Sequence, residues 1–379
     1  MNNIILYGYY GHGNLGDEAI LQILLNEFKK VSGISLTIFT SKAKQVSLDY
    51  KIKTINSDLH IWKPLRIIKQ LIAILKCDLF ILGGGGLLKD YGSSSRNLKA
   101  WLFWLRIAQI LKKKTALYGV GVENIRYPQS RSILKKSLKK TNIILLRDYS
   151  SKKLLENLGI INENIRVISD PTILFSVEKE ICIKNLSEHP KIIINVRHWH
   201  DHGPYIKDPE KNKNFLKVIS EVGDYLIDNY KAELNFIPMR TTAYDNDIKI
   251  ANHIIVLMKN KSLVKIYPER PSVDEYLEIL KNTDLVIGMR LHSIIIPSSI
   301  GIPVIGLEYM PKVKAFMESI GKVEYSHNIN NISSETIINS INKLFNEYSQ
   351  YSECVLNRIS KLRKITKRYL TLLVSFAKN

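Results

Sequence analysis

Residues 284–297, Asp284-Leu285-Val286-Ile287-Gly288-Met289-Arg290-Leu291-His292-Ser293-Ile294-Ile295-Ile296-Pro297, form an apolar run that stops at a glycine and starts again. Leu285–Ile287 has the length of a buried strand, Gly288 permits a tight turn, and the apolar segment from Leu291 continues as a helix. Strand, turn and helix in that order are the unit of a parallel α/β sheet. Between the two apolar segments stand Arg290 and His292. Open α/β sheets bind ligands at the carboxyl ends of their strands, so a permanent cation beside a titratable imidazole suits an anion undergoing proton transfer. A buried histidine and a surface arginine in an ordinary loop would look the same from this stretch alone.

The same unit recurs upstream. Ile4–Leu6 reads as a strand, followed by Gly8-Tyr9-Tyr10-Gly11-His12-Gly13-Asn14-Leu15-Gly16-Asp17-Glu18 and a helical pattern over Ala19–Phe28. A glycine-rich turn before a helix presents backbone N–H groups to an anion or a sugar. The spacing is not GxGxxG followed by a partner acid about 20 residues on, nor GxxxxGKS, so dinucleotide and P-loop readings are weak. Asn14 and Asp17 could equally turn the chain and cap the helix. Leu36–Phe39 is a second strand and Asp78–Leu82 a third, followed by a loop of four glycines, Gly83–Gly86. Glycine loses the most entropy on folding and packs nothing, so four in a row point to close backbone approach to a ligand. Thr115–Gly121, Asn142–Leu146 and Ile165–Ile168 continue the strands. Within Arg96–Lys114, Trp101 and Trp104 lie among Arg96, Lys99, Arg106 and Lys112-Lys113-Lys114. That pattern fits a helix packed on the sheet with a solvated basic face, or an interfacial membrane contact.

The polar, aperiodic segment Ser176–Pro190 reads as a domain boundary. Lys191–Val196 then begins a second series, ending at Arg197. His198-Trp199-His200-Asp201-His202 crowds its histidines onto one loop, which suits tetrahedral ligation poorly, so no metal is expected. Glu233–Ile237 is a strand ending near Arg240, and Tyr244-Asp245-Asn246-Asp247 caps the helix Ile248–Met258. Pro303–Leu307 is the last strand, followed by Glu308-Tyr309-Met310-Pro311-Lys312. The expected fold is α/β, with two Rossmann-like, doubly wound parallel-sheet domains over residues 1–178 and 188–330 facing a cleft. A helical tail over 331–379 either returns to the first domain or touches anionic lipid.

At 379 residues the chain exceeds what one hydrophobic core usually serves, and 45% hydrophobic content marks it as globular. Its 55 Lys+Arg against 35 Asp+Glu leave +20, which favours polyanions, anionic membrane surfaces or phosphorylated substrates. No recognition motif or basic stripe with stacking aromatics points to nucleic acid. Cys77, Cys182 and Cys354 are scattered and lack a CxxC pair, as expected of reduced thiols with no zinc framework. Met1–Gly8 lacks a basic n-region and a cleavage site, and no uncharged apolar run is long enough to span a bilayer. A cytoplasmic protein is expected.

Four segments together resemble the polysaccharide pyruvyl transferase family, especially the branch that pyruvylates secondary cell wall polymers. They are Gly8–Gly11 through Asn14–Glu18; Leu82–Asp90; Arg147-Asp148 with Ser151; and Ile287–Ser293 continuing through Gly301-Ile302-Pro303 to Pro311-Lys312-Val313. The resemblance spans residues 4 to about 320. It implies a fold like that of the two-domain (GT-B-like) glycosyltransferases, phosphoenolpyruvate as donor and co-substrate with no further cofactor, and a pyruvyl ketal on a sugar as product. The arginine and histidine of the family's Arg-Leu-His motif fall on Arg290 and His292. Two departures, Tyr309-Met310-Pro311-Lys312 for Tyr-Asp-Pro-Lys and Gly119-Val120-Gly121-Val122-Glu123 for a more usual Gly-Ile-Gly-Pro, bear on acceptor identity.

Arginines suit bidentate capture of the donor's carboxylate and phosphate, so Arg290, Arg197 and Arg147, with Lys312, are the expected donor-binding residues. His292 is the expected general acid/base, a role typically contributing about 10²–10⁴-fold. Asn14, Asp17, Glu18, Gly84, Gly85 and Gly86 are the expected acceptor side, in the first domain. If the acceptor is linked to a lipid diphosphate, a peripheral contact at the inner face of the cell membrane follows. A nucleotide-sugar glycosyltransferase of the same architecture is the alternative, with Glu308-Tyr309 as its ribose- and base-binding pair.

Overall fold

The computed structural model describes residues 2–58, 63–90, 94–175, 185–199 and 207–378. The metal reading of His198–His202 falls largely outside them, since His200, Asp201 and His202 are not among the described residues. The chain divides into two compact units: Met1–His12, Asp17–Pro171 and Leu362–Asn379 form the first, Gly13–Gly16 and Thr172–Lys361 the second.

The first unit alternates β1 (Asn2–Tyr7), α1 (Leu15–Lys29), β2 (Ile34–Thr40), α2 (Ala43–Tyr50), β3 (Thr54–Asn56), α3 (Pro64–Lys76), β4 (Leu79–Lys89), α4 (Arg96–Ile110), β5 (Lys114–Glu123), α5 (Pro128–Lys139), β6 (Ile143–Leu146), α6 (Tyr149–Asn157) and β7 (Ile165–Val167). Its strands pair in parallel in the order β3-β2-β1-β4-β5-β6-β7, which reverses direction between β1 and β4. Ile4–Leu6 and Leu79–Leu82 are buried along their whole length, as strands covered on both faces must be.

Strand β4 does not stop at Leu82. It runs through all four glycines to Lys89, with a shift of register against β5 between Gly85 and Leu88. The glycines answer to packing: a Cβ on Gly83 would stand 2.7 Å from Leu6 Cδ1, and one on Gly84 2.3 Å from Ile20 Cγ2. Gly84 and Gly85 also take φ of +74° and +85°, where a side chain is strained. At Gly83 and Gly84 the close approach is to the unit's own side chains, Leu6 and Ile20. Tyr10 closes the same region, donating its hydroxyl to Gly83 O at 2.6 Å.

Helix α4 is a core helix. Trp104 is 1% exposed and donates Nε1 to Ser57 O at 2.8 Å, while Trp101 packs 5.0 Å from the Tyr7 ring. Both tryptophans pack toward the core of the unit.

The second unit contains β8 (Lys191–Asn195), α7 (Pro209–Tyr230), β9 (Glu233–Phe236), a small hairpin of β10 (Thr241–Thr242) and β11 (Asp245–Asn246), α8 (Asp247–Leu257), β12 (Val264–Ile266), α9 (Val273–Lys281), β13 (Leu285–Gly288), α10 (Leu291–Ser299), β14 (Val304–Glu308), α11 (Pro311–Ser319), β15 (Ser326–Asn328) and α12 (Ser334–Asn346). Its parallel sheet runs β12-β9-β8-β13-β14-β15, the same doubly wound order, reversing between β8 and β13. Helix α13 (Tyr348–Lys378) ends the chain. Its residues from Leu362 cluster with the first unit, where Leu370 and Leu373 are buried and Thr366 Oγ1 accepts from Ser169 N at 3.1 Å. Among the described residues no helix is long and apolar enough to cross a membrane.

Candidate functional site

In doubly wound sheets the crevice for a ligand opens where the strand order reverses. In the second unit that point lies between β8 and β13, and the segments leaving these strands carry Arg197 and Arg290. The strands are in register up to Gly288 beside Asn195. Asn195 ties three strand ends together: its carbonyl accepts from Met289 N (2.9 Å), its Oδ1 from Arg290 N (3.1 Å), and its Nδ2 donates to Ile237 O (3.0 Å). Gly288 is glycine because a Cβ there would stand 2.5 Å from Ser293 Oγ, which donates to Arg290 O at 2.6 Å to close the first turn of α10.

Arg290 is buried rather than displayed. Its Nε donates to both Asp247 oxygens (2.8 and 3.0 Å), and its Nη2 to Asp247 Oδ1 (2.6 Å) and Asp245 Oδ1 (2.7 Å). Asp247 is held in place by Met239 N at 3.0 Å and Arg240 N at 3.2 Å. Asp245 also pairs with Arg197 Nη2 and Arg240 Nη1, each at 3.4 Å. Burial works against the charge on Asp245, but Arg290, Arg197 and Arg240 outweigh it and hold the carboxyl below its usual range. Burial likewise opposes the charge of Arg290, and Asp247 and Asp245 overcome that too.

Tyr309, just beyond β14, gathers the remaining cations. Arg197 lies 5.0 Å and Lys312 5.3 Å from its ring centre, and Trp199 meets it edge-on at 5.1 Å. Segments following β8, β9, β13 and β14 thus bring Arg197, Arg240, Arg290 and Lys312 to one sheet edge. Among these residues the cations outnumber Asp245 and Asp247, which suits a small dianion.

His292 sits half-buried in the first turn of α10. Its ring lies on Gly16, where a Cβ would stand 1.9 Å from Nδ1 and 2.3 Å from Cγ. Residues 13–16 belong to this unit because Leu15 N donates to Met239 O at 3.0 Å and Asn14 pairs with Arg240 in an isolated antiparallel bridge. Asn14, expected in the first domain, therefore stands in the second unit beside Arg240.

The other expected residues fall in the first unit. Asp17 Oδ1 lies 2.9 Å from where a Cβ of Gly85 would be, and Glu18 accepts from Gly11 N (2.8 Å) and Tyr50 Oη (3.3 Å), tying down the glycine-rich turn. Gly84 and Gly85 are buried, and Gly86 is half-buried. All three Arg147 nitrogens face carboxylates: Nη2 to Glu123 at 3.1 Å, Nε to Asp148 at 3.3 Å and Nη1 to Asp170 at 3.8 Å. Arg147, expected at the donor, is held in the first unit by these three carboxylates. Sequence reasoning missed Asp245, Asp247, Asn195, Arg240 and Gly16. Asp245 and Asp247 stand in a stretch that reads locally as a helix cap, a task that Asn246 performs by accepting from Ile248 N at 3.0 Å. Among the described residues no three His, Cys, Asp or Glu side chains gather as a metal site needs.

A family model described as polysaccharide pyruvyl transferase matches residues 14–310. No curated protein sequence matches the chain. Among solved structures, UDP-GlcNAc 2-epimerase from Neisseria meningitidis bound to UDP-GlcNAc is similar at TM-score 0.64 and 12% identity, covering 100% of both chains. A glycosyltransferase from Rickettsia africae is similar at TM-score 0.64 and 14% identity, covering 100% of this chain and 99% of the other. UDP-GlcNAc 2-epimerase from Methanocaldococcus jannaschii is similar at 0.62 and 14%, covering 99% and 100%. At these identities the likeness is one of fold, and the fold is GT-B-like.

Proposed function

This chain belongs to the polysaccharide pyruvyl transferase family, and from that premise we propose that it moves the enolpyruvyl group of phosphoenolpyruvate onto a sugar as a pyruvyl ketal. The observation that carries the proposal is the cluster at the β8–β13 switch point, where Arg197, Arg240, Arg290 and Lys312 surround Asp245 and Tyr309, with His292 in the turn after Arg290. Phosphoenolpyruvate presents a carboxylate and a phosphate to such a cluster. The carboxylates of Asp245 and Asp247 use Nε and Nη2 of Arg290 and fix the plane of its guanidinium. Nη1, which these pairs do not use, is the donor that meets the substrate.

The reaction adds one proton and two hydroxyl oxygens and releases phosphate. A proton reaches the methylene carbon and makes it methyl, while the adjacent carbon becomes electrophilic. One sugar hydroxyl adds there, the C–O bond to phosphate breaks, and a second hydroxyl closes the ketal; of the two protons the hydroxyls give up, one replaces the proton delivered to the methylene carbon and the other leaves on phosphate as hydrogen phosphate. His292 serves as the group that delivers and collects these protons. The sugar belongs to a cell-surface polysaccharide or its lipid-linked precursor; with the lipid-linked precursor as acceptor, the reaction lies at the inner face of the membrane. Asp17, Glu18, Gly85 and Gly86 remain the acceptor candidates in the first unit.

The GT-B-like fold also houses nucleotide-sugar enzymes, so donor identity is the test. Calorimetric titration should show phosphoenolpyruvate binding that weakens about tenfold in Arg197→Lys, where the planar fork is lost. Binding of a UDP-sugar with indifference to phosphoenolpyruvate would replace this reading with a glycosyltransferase.

A further inference from the structure

The first unit covers one face of helix α3 and leaves the opposite face exposed. Gln70 and Ile74 are buried, and Gln70 Nε2 donates to the carbonyls of Asn56 (2.7 Å) and Asp58 (3.0 Å), fixing that face beside the edge strand β3. At about 100° per residue, Leu65, Ile68, Ile72 and Leu75 fall together on the opposite face. They are 75%, 49%, 44% and 51% exposed. Single exposed leucines need no explanation, but four in line on one helix do. Lys69 and Lys76, both exposed, run along one edge of this stripe, and the helix sequence PLRIIKQLIAILK has no acidic residue.

We infer that this face of α3 docks on an anionic lipid surface, with the helix in the plane of the interface, its four apolar side chains at the acyl boundary and its lysines on the headgroups. Charge selects this occupant over a second copy of the chain. Pairing two such stripes would set Lys69 and Lys76 against their own kind with no carboxylate on the helix to offset them. The inference deepens the membrane-facing part of the proposed function and rests on it for its purpose, since a lipid-linked acceptor is presented in the plane of a bilayer. It places the contact on α3, not on α4, whose Trp104 is core.

The test is co-sedimentation of the full chain, without substrates, with vesicles of phosphatidylcholine alone or mixed with phosphatidylglycerol. Binding to the mixed vesicles that fades with salt is expected. Ile68→Ser/Ile72→Ser should lower partitioning about tenfold, and Lys69→Glu/Lys76→Glu should remove the preference for phosphatidylglycerol, both leaving turnover of a soluble acceptor unchanged. Wild-type protein that ignores the mixed vesicles at low salt, or variants that bind like wild type, would overturn the inference. So would a dimer, seen by ultracentrifugation, that the Ile68→Ser/Ile72→Ser variant abolishes. Lipid binding without any turnover of phosphoenolpyruvate would instead count against the proposed reaction alone.

Discussion

Replacing Gly16 by alanine tests how His292 is positioned without touching the imidazole. The new Cβ would stand 1.9 Å from Nδ1, and ordinary van der Waals contact begins at 3.4 Å, so the ring must retreat by about 1.5 Å. Spinning the ring cannot relieve the contact, because Cγ, the root of the ring, is itself only 2.3 Å away. Either the side chain leaves its rotamer or the segment of residues 13–16 lifts, breaking the hydrogen bond from Leu15 N to Met239 O. Overpacking of this kind costs about 1–3 kcal/mol, and each kcal/mol lowers Tm by about 2–4 °C in a unit of this size. Misplacing a catalytic group by about 1 Å costs on the order of 10²-fold in rate. The expected result is a folded protein with kcat down about 10²-fold and a KM for phosphoenolpyruvate that changes little, measured by phosphate release in parallel with calorimetry. If Gly16→Ala keeps kcat within about threefold of wild type in a protein whose Tm has fallen, the ring position does not matter to the reaction and the reasoning fails.

Removing one partner of a buried ion pair leaves the other uncompensated, so Asp247→Ala should destabilise the second unit by about 3–5 kcal/mol in denaturant titration; a cost under about 1 kcal/mol would show that Arg290 is held by other means. Arg147→Met should lower stability while leaving the KM for phosphoenolpyruvate unchanged, and a large rise in KM would assign it to the donor site. Gly84→Ala, with its Cβ 2.3 Å from Ile20 and a φ of +74°, should cost about 2 kcal/mol or more in thermal unfolding yet spare the activity of the folded fraction. Asp245 and Asp148 have folded pKa values below their unfolded ones: at each, burial is outweighed, by the three arginines at Asp245 and by Arg147 and the Ser150 and Ser151 hydrogen bonds at Asp148. Their contribution to stability is therefore full above the ordinary carboxylate range of about 4 and is lost as pH falls through the lower folded values. Acid unfolding of Asp245→Asn should accordingly be shallower than that of wild type, and identical profiles would contradict this assignment.

The strands were legible because parallel strands buried on both faces read as unbroken apolar runs, as at Leu285–Ile287 and Leu79–Leu82. The same rule misled at Gly83–Gly86, where strand β4 continues without side chains because Leu6 and α1 occupy their space. Short strands such as Thr54–Asn56 and Val264–Ile266 carry too few residues for a period to show. Arg290 and His292 stood out because they interrupt an apolar segment at a strand end. Their supports did not, since Asp247 lies 43 residues from Arg290 and Asn195 lies 95. Nothing local distinguishes an aspartate that pairs with a distant arginine from one that caps the next helix. Gly16 belongs to a glycine-rich turn in the sequence, but its reason for being glycine is a ring that arrives from far down the chain.

In the proposed reaction His292 moves protons during transfer from phosphoenolpyruvate to a sugar. The direct measurement is phosphate release from phosphoenolpyruvate by the purified protein across a panel of lipid-diphosphate disaccharides, with His292→Ala alongside. Release that requires an acceptor and falls by about 10²-fold or more in the folded variant is the expected result. Turnover by His292→Ala near the wild-type rate, or silence across the panel with turnover of a nucleotide sugar in its place, would contradict it.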